Sequence, residues 1–338
     1  MRFSAALSVS AALVLGAPSV AGAASPTFDA VLGRGHLVCG VATDMPGFGD
    51  VDSTGAWRGL YVDDCRAVAA ALFGDAARAQ LVPTTTQNRL TMLQTGEIDI
   101  LTSNTTWTLP REAALGLAFV GVTFYDGQGF LVKAATGIKT AKELAGATVC
   151  VQPGTTTELN LADWSRANRV DIKPVVIDDV AAIHQAFISG RCDAYTFGSA
   201  ALAAFRVSQG SRAGDYRLLP DIISKEPLGP VIRKDDWKFF DLVRWTHIAR
   251  LQAEEFGITS TNVMQRLDDP NPDVKRFLGT SAEFGKMLGV SNDWVVKIVA
   301  QVGNFGESWE RNVTPLGLRR GLNALWNAGG IQYPPPMR

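Results

Sequence analysis

Histidine is scarce in this 338-residue chain. His36, His184 and His247 lie far apart without metal-ligand spacing, so metal catalysis has no support and all three are expected to be structural. None of the four cysteines forms a Cys-x-x-Cys pair, and no Gly-x-Ser-x-Gly elbow occurs. Gly279 to Gly285-Lys286-Met287 fails the P-loop both in spacing and in lacking Ser or Thr after the Lys. Net charge is also small: 32 Lys and Arg against 33 Asp and Glu leave −1, with no basic stripe for nucleic acid or an anionic membrane face. There is no low-complexity linker, and no cofactor is expected.

What is present begins with the export signal. Arg2 precedes an apolar run from Ala5 to Ala17, and Ala21-Gly22-Ala23 is a small-residue cleavage site. A membrane anchor needs about 18 or more apolar residues, so the segment has the layout of a secretory signal peptide, residues 1–23, and no membrane insertion is expected. No Cys follows the run, which removes the simplest route to a lipoprotein. The remaining residues 24–338, in a chain that is 46% hydrophobic, exceed what one core usually fills, so two lobes are expected.

Cysteines in an exported chain are expected to pair, and four allow three connectivities. Cys39 and Cys65 fall in the first lobe and Cys150 and Cys192 in the second, so pairing within lobes is preferred.

Short apolar runs alternate with helical patterns. Leu37 to Ala42, Gln80 to Val82 and Ile98 to Leu101 look like strands; Val62, Cys65, Val68, Ala69 and Leu72 follow helical spacing, and Leu90 and Leu93 mark a helix closed by Gly96. The same βαβαβ order recurs in Thr148 to Val151, Thr155 to about Arg166, Lys173 to Ile177, Val180 to Ile188 and Asp193 to Thr196. The expected fold is α/β with two parallel-sheet lobes, each offering its ligand edge at the carboxyl ends of the strands. Phe130-Leu131-Val132 and Leu228 to Ile232 bracket the second unit, so the chain is expected to cross twice between lobes and form a hinge. Lobe 1 then comprises 24–131 and 231–338, with a C-terminal helical extension, and lobe 2 comprises 132–230. In the extension, Trp294, Val295, Ile298, Val299 and Val302 stand at helical spacing after the cap candidates Ser291, Asn292 and Asp293.

Three hydroxyl-rich segments follow the ends of apolar runs: Asn104 to Arg111, Tyr125 to Phe130 and Val151 to Glu158. Arg111, just inside a helix start after Pro110, has a planar donor fork suited to a carboxylate, with Thr106 or Thr108 adding a hydrogen bond. Thr155-Thr156-Thr157-Glu158 after Gly154 is a helix N-terminus, which favours anions. An ordinary capping box with Thr155 as cap and Glu158 three residues on would look the same. Together the segments describe a clamp for a small zwitterion.

Leu37-Val38-Cys39-Gly40-Val41, Val62 to Ala67, Gln87-Asn88-Arg89, Asn104 to Thr108, Tyr125 to Phe130, Gln152 to Glu158, Gly190 to Thr196, Lys225 to Pro230, Arg244-Trp245-Thr246-His247, Arg311-Asn312-Val313 and Leu316 to Trp326 carry a likeness over nearly the whole mature chain. On these motifs the chain resembles the general L-amino acid binding proteins of bacterial ABC transporters. The resemblance implies a two-lobe type II periplasmic binding fold, with each lobe doubly wound. It implies a monomer in the periplasm that shuts on an amino acid or related small carboxylate and presents the closed form to the permease subunits. It also implies that Arg111 holds the α-carboxylate with Thr106 and the Thr155 backbone. Asn104 and Thr106 would face the α-ammonium, with Gln87 and Arg89 near the ligand side chain.

Gly198 departs from the pattern, because the resemblance implies an aspartate there as partner for the α-ammonium. An ammonium desolvated without an anion costs several kcal/mol. Either another acid such as Glu158 or Asp126 substitutes, or affinity for ordinary amino acids is weak, or the ligand lacks the ammonium. On sequence alone, Gly198→Asp is expected to strengthen amino acid binding. Tyr61, where an acid is frequent, and Ser103, where a basic residue is common, are lesser departures. Some periplasmic dehydratases share this fold and use a carboxylate as general acid, so a cyclohexadienyl dehydratase-like lyase working through Glu158 or Asp126 is the alternative. No motif favours it.

Overall fold

A computed structural model describes residues 25–338, and the expected signal peptide lies outside the described residues. The first five-stranded sheet runs Ala79–Thr84, Leu37–Ala42, Ile100–Thr102, Val231–Arg233, Leu117–Phe119 from edge to edge. The second runs Lys173–Val176, Thr148–Val151, Ala194–Gly198, Gln128–Lys133, Tyr216–Leu218. The two orders correspond position by position, so the repeated βαβαβ pattern does build two alike lobes.

The sheets are not purely parallel as expected. Val231–Arg233 pairs antiparallel with Ile100–Thr102, and Gln128–Lys133 pairs antiparallel with Ala194–Gly198. The reason lies in the hinge: each of these strands arrives from the other lobe and enters its sheet from the opposite end. The two connections, Phe124–Asp126 and Glu226–Leu228, pair as an antiparallel ribbon. The third strand of lobe 1 also sits further along than its apolar run suggests, at Ile100–Thr102; Asp99 before it still donates its N–H to the Val38 carbonyl at 2.8 Å, and its side chain accepts from the Val38 N–H at 2.8 Å.

The residues after 233 wrap lobe 1. Helix Leu60–Phe73 packs against Trp237–Glu255 and Trp294–Val302 and buries 11 of its 14 residues, which explains why so little of it is polar. Its two acids meet partners from the extension. Asp64 pairs with Arg250 at 2.5 Å, and Asp63 accepts from Ser308, Arg311 and Asn312 at 2.6 to 2.8 Å. The helix starts at Gly59, φ 126°, where a Cβ would stand 2.1 Å from the Phe48 carbonyl oxygen, so only glycine fits. The helix that the sequence places after Asp293 runs Trp294–Val302, with Asp293 at the cap position but without a side-chain cap bond.

Both preferred disulfides are present, Cys39–Cys65 and Cys150–Cys192, with Cα separations of 6.2 and 5.6 Å. Each staples one lobe and neither crosses the hinge.

Candidate functional site

The hinge ribbon forms the floor of a cleft between the lobes. Asn104–Thr108 leaves lobe 1 in an extended form and zips onto the second connection: Thr106 bridges Leu228, and the Trp107 N–H donates to the Pro227 carbonyl at 2.9 Å. This fixes the start of helix Leu109–Ala114, with Pro110 in its first turn, and brings Arg111 to the cleft. From the other lobe, helix Thr156–Asn168 points its N-terminus at the same space.

The inner cavity, narrow and open at its mouth, is lined by Arg111, Thr106, Asn104, Thr155, Thr156 and Gly198 among others. With Arg89 these are seven of the nine ligand residues expected from sequence. Gln87 and Arg89 line the adjoining outer cavity of about 240 Å³, and Arg89 borders both. Thr108 is not brought in. It takes the N-cap position of the Leu109–Ala114 helix, half-buried, outside both cavity linings.

Arg111 donates one N–H to the Thr106 carbonyl at 2.8 Å and lines the cavity. Burial lowers its pKa from the usual guanidinium value, while Glu226 acts to raise it. Thr155 caps the opposing helix by accepting from the Glu158 N–H at 3.1 Å. Glu158 reaches back to the Gly154 N–H at 2.8 Å, so it serves the helix end and does not line the cavity. Asn104 takes donors from Arg89 at 2.9 Å and Ser103 at 3.0 Å on its side-chain oxygen. A guanidinium does stand beside Ser103, where the resemblance implied a base: it belongs to Arg89, buried at 4% exposure.

Two carboxylates share the inner cavity, Asp126 and Glu226, and they are direct cross-strand partners in the ribbon. Glu226 is buried and joins the lobes, accepting from Thr106, from Thr156 at 3.0 Å, and from Asn160 and Ser224 at 2.8 Å each. Asp126 accepts from the Gly127 N–H at 2.8 Å and the Ser199 hydroxyl at 2.5 Å. Burial pushes its pKa up to about 6, against the hydrogen bonds that lower it, and the Glu226 charge adds to the rise.

The lobes also touch across the outer cavity. Thr86 bonds Gln152 at 3.1 Å, and Gln87 donates to the Asp178 carbonyl at 3.1 Å. His184, expected to be structural, lines this cavity while its ring packs on Phe205 at 4.3 Å. Burial drops its pKa to about 4. Met45, Phe197 and Ala201 are lining residues that the sequence reading missed. Apolar side chains carry no local sign of facing a ligand. Glu226 lay in a quoted motif, yet only the ribbon register reveals its place beside Asp126.

Residues 37–299 match the family of bacterial extracellular solute-binding proteins, family 3. The chain belongs to that family. The general L-amino acid-binding periplasmic protein of Rhizobium johnstonii is 48% identical over 333 residues, covering 97% of this chain and 96% of the relative. The glutamate/glutamine/aspartate/asparagine-binding protein of Rhodobacter capsulatus is 47% identical over 324 residues, 94% of this chain and 96% of the relative. A solved periplasmic binding protein from Brucella ovis with glutathione bound superposes with a TM-score of 0.91 at 47% identity, covering 93% of this chain and all of that one. The resemblance read from the sequence is borne out, and so is the two-lobe type II fold. As a family member, the protein is the substrate-binding component of an importer.

Proposed function

We propose that the protein captures an L-amino acid of polar type between its lobes and delivers it to the permease of an ABC transporter, acting as a periplasmic monomer. The carrying observation is that Arg111 of one lobe and the N-terminus of helix Thr156–Asn168 of the other line one cavity. A guanidinium fork and free first-turn N–H groups are both carboxylate donors, so a single α-carboxylate held by both draws the lobes together. The proposed movement is closure about the two connections, Phe124–Asp126 and Glu226–Leu228; because strand Gln128–Lys133 lies wholly in the second sheet, the first crossing falls before it and not at residue 131 as the sequence suggests. Relatives named for amino acid binding support this reading.

The outer cavity widens the ligand class. It adjoins the inner cavity at Arg89 and Asn104, and its rim is hydroxyl and amide, from Thr84, Thr85, Thr86, Gln87 and Gln152. A short peptide with a free amino acid head, such as the glutathione bound by the Brucella ovis protein, fits the same clamp with its remainder in that space. Thermal-shift and calorimetric titration with L-amino acids and glutathione test both readings. Saturable binding without turnover is the expected result. Turnover of prephenate or arogenate would instead favour the lyase alternative, for which Glu158 no longer qualifies by position.

A further inference from the structure

An α-amino acid brings a positive charge as well as a negative one, and a cation taken out of water needs an anion within hydrogen-bond reach. The inner cavity offers two carboxylates, and their hydrogen-bond accounts differ. Each oxygen of Glu226 already accepts from two side chains: Oε2 from Thr106 and Thr156, Oε1 from Asn160 and Ser224. Its capacity is spent on tying the hinge to both lobes. Asp126 is arranged otherwise. Oδ1 takes Gly127, Ser199 and a long contact at 3.4 Å from the Ala200 N–H, while among the described residues Oδ2 takes only the Ala200 N–H at 3.3 Å. Asp126 therefore lines the cavity with one oxygen held and one oxygen nearly free.

Where that oxygen lies is the second observation. Gly198 also lines the cavity, at the end of strand Ala194–Gly198, and a Cβ built on it would stand 2.7 Å from Asp126 Oδ2. Its φ is −56°, which any residue adopts, so backbone freedom does not call for glycine here. The missing side chain makes room for the carboxylate. Asp126 thus occupies the space that any side chain at position 198 would take, with Arg111 in the same cavity for the other end of a zwitterion.

We infer that Asp126 is the acceptor for the ligand ammonium, through Oδ2, and that Gly198 is the specificity-determining partner that leaves space for it. This rests on the amino acid reading above. The two residues exchange roles as a pair: the anion comes from the hinge ribbon, and the strand end of lobe 2 stays bare. Because Asp126 sits on the first connection between the lobes, the ammonium is gripped at the hinge itself. Ligands carrying a carboxylate but no ammonium gain nothing from it.

The test is calorimetric titration of the full mature chain with L-glutamine and L-glutamate, on wild type, Asp126→Asn and the exchange variant Asp126→Gly/Gly198→Asp. The inference expects Asp126→Asn to weaken both ligands at least 30-fold while keeping a cooperative unfolding transition. It expects the exchange variant to recover at least tenfold of that loss, because it returns one carboxylate to one space. Binding by Asp126→Asn within threefold of wild type overturns the inference. So does an exchange variant that folds but recovers nothing, which would leave Asp126 a hinge residue only. If wild type binds neither ligand nor any other L-amino acid tried, the proposed function falls instead, and the two failures are thereby told apart.

Discussion

Asp126 and Glu226 stand directly opposite each other in the two-stranded ribbon that joins the lobes, with both side chains on the cavity face. Like charges in that register are destabilising, and here the register sits at the hinge. Glu226 has both oxygens taken up by four uncharged donors, whereas Asp126 keeps an oxygen for the cavity. On the proposed assignment, a ligand ammonium beside Asp126 would relieve the repulsion and so couple binding to closure at one pair of residues.

The pH dependence of binding follows from that pair. The Asp126 pKa is raised from 3.8 to about 6, so the group contributes stability to the ligand-free protein that is present below pH 3.8 and lost as pH rises through 6. Asp64, also raised to about 6, acts in the same direction, while His184 and His247, lowered to about 4 and about 3, act oppositely over the acid range. Unfolding curves therefore mix several groups, and ligand affinity is the cleaner measure. The charged and titratable groups round Asp126 are Glu226, Tyr61, Arg89 and Arg111. L-Glutamine affinity should hold above about pH 7 and fall by roughly tenfold per unit below the Asp126 pKa, with proton release on binding near pH 6. Calorimetry in buffers of different ionisation enthalpy reads both. A flat profile from pH 5 to 8 would refute the assignment.

Gly198→Asp alone now carries the sign opposite to the one the sequence suggests. Seen without Asp126, the change restores a missing counter-charge. Seen with Asp126 Oδ2 at 2.7 Å from the new Cβ, it forces two carboxylates together and one aside. Affinity for L-glutamine should drop at least tenfold, about 1.4 kcal/mol. Tighter binding by Gly198→Asp would show that Asp126 does not fill the space.

The lobes, both disulfides and the cavity lining supplied by Arg111 and Thr155 were legible in the sequence because each has a local sign. These are the βαβαβ period, cysteine placement, and the hydroxyl-rich segments ending in Arg111 and Thr155. The approach of Asp126 to Gly198 was not. Its residues are 72 apart and meet only because strand Gln128–Lys133 lies beside Ala194–Gly198 in the sheet, pairing Gly198 with Gln128. The same holds for Asp63 and Asp64, whose partners lie in the extension some two hundred residues on.

Arg111→Ala should weaken amino acid binding by about 30-fold or more, taking about 2 kcal/mol for a charge-assisted bond. Arg111→Lys should recover little, since an ammonium lacks the planar fork. Its helix is only six residues long and exposed, so the thermal unfolding midpoint should hardly move. Binding within threefold of wild type in Arg111→Ala would place the carboxylate elsewhere.

The disulfides separate stability from function. Cys150→Ser/Cys192→Ser should cost about 2–4 kcal/mol of unfolding free energy, because a cross-link spanning 42 residues constrains the unfolded chain. Ligand affinity measured well below the new midpoint should stay within about threefold, because the link lies within one lobe. A large loss of affinity with stability intact would mean that the bond shapes the cleft.

The last prediction concerns the brace on the hinge. Pro227 has no N–H for a ladder, and its carbonyl turns outward to Trp107. Tyr125, opposite Pro227, turns its own backbone outward on the other edge, where Asn323 of the extension accepts from its N–H at 2.7 Å and donates to its carbonyl at 3.0 Å. One buried side chain thus satisfies both backbone groups of the residue preceding Asp126. Asn323→Ala removes that pair and should cost about 1–3 kcal/mol in denaturant unfolding. Because Tyr125 carries Asp126, the change should also weaken L-glutamine binding severalfold. Asn323→Asp, which keeps the acceptor and loses the donor, should fall between the two in stability. If Asn323→Ala leaves both stability and affinity unchanged, the extension covers lobe 1 without bracing the hinge.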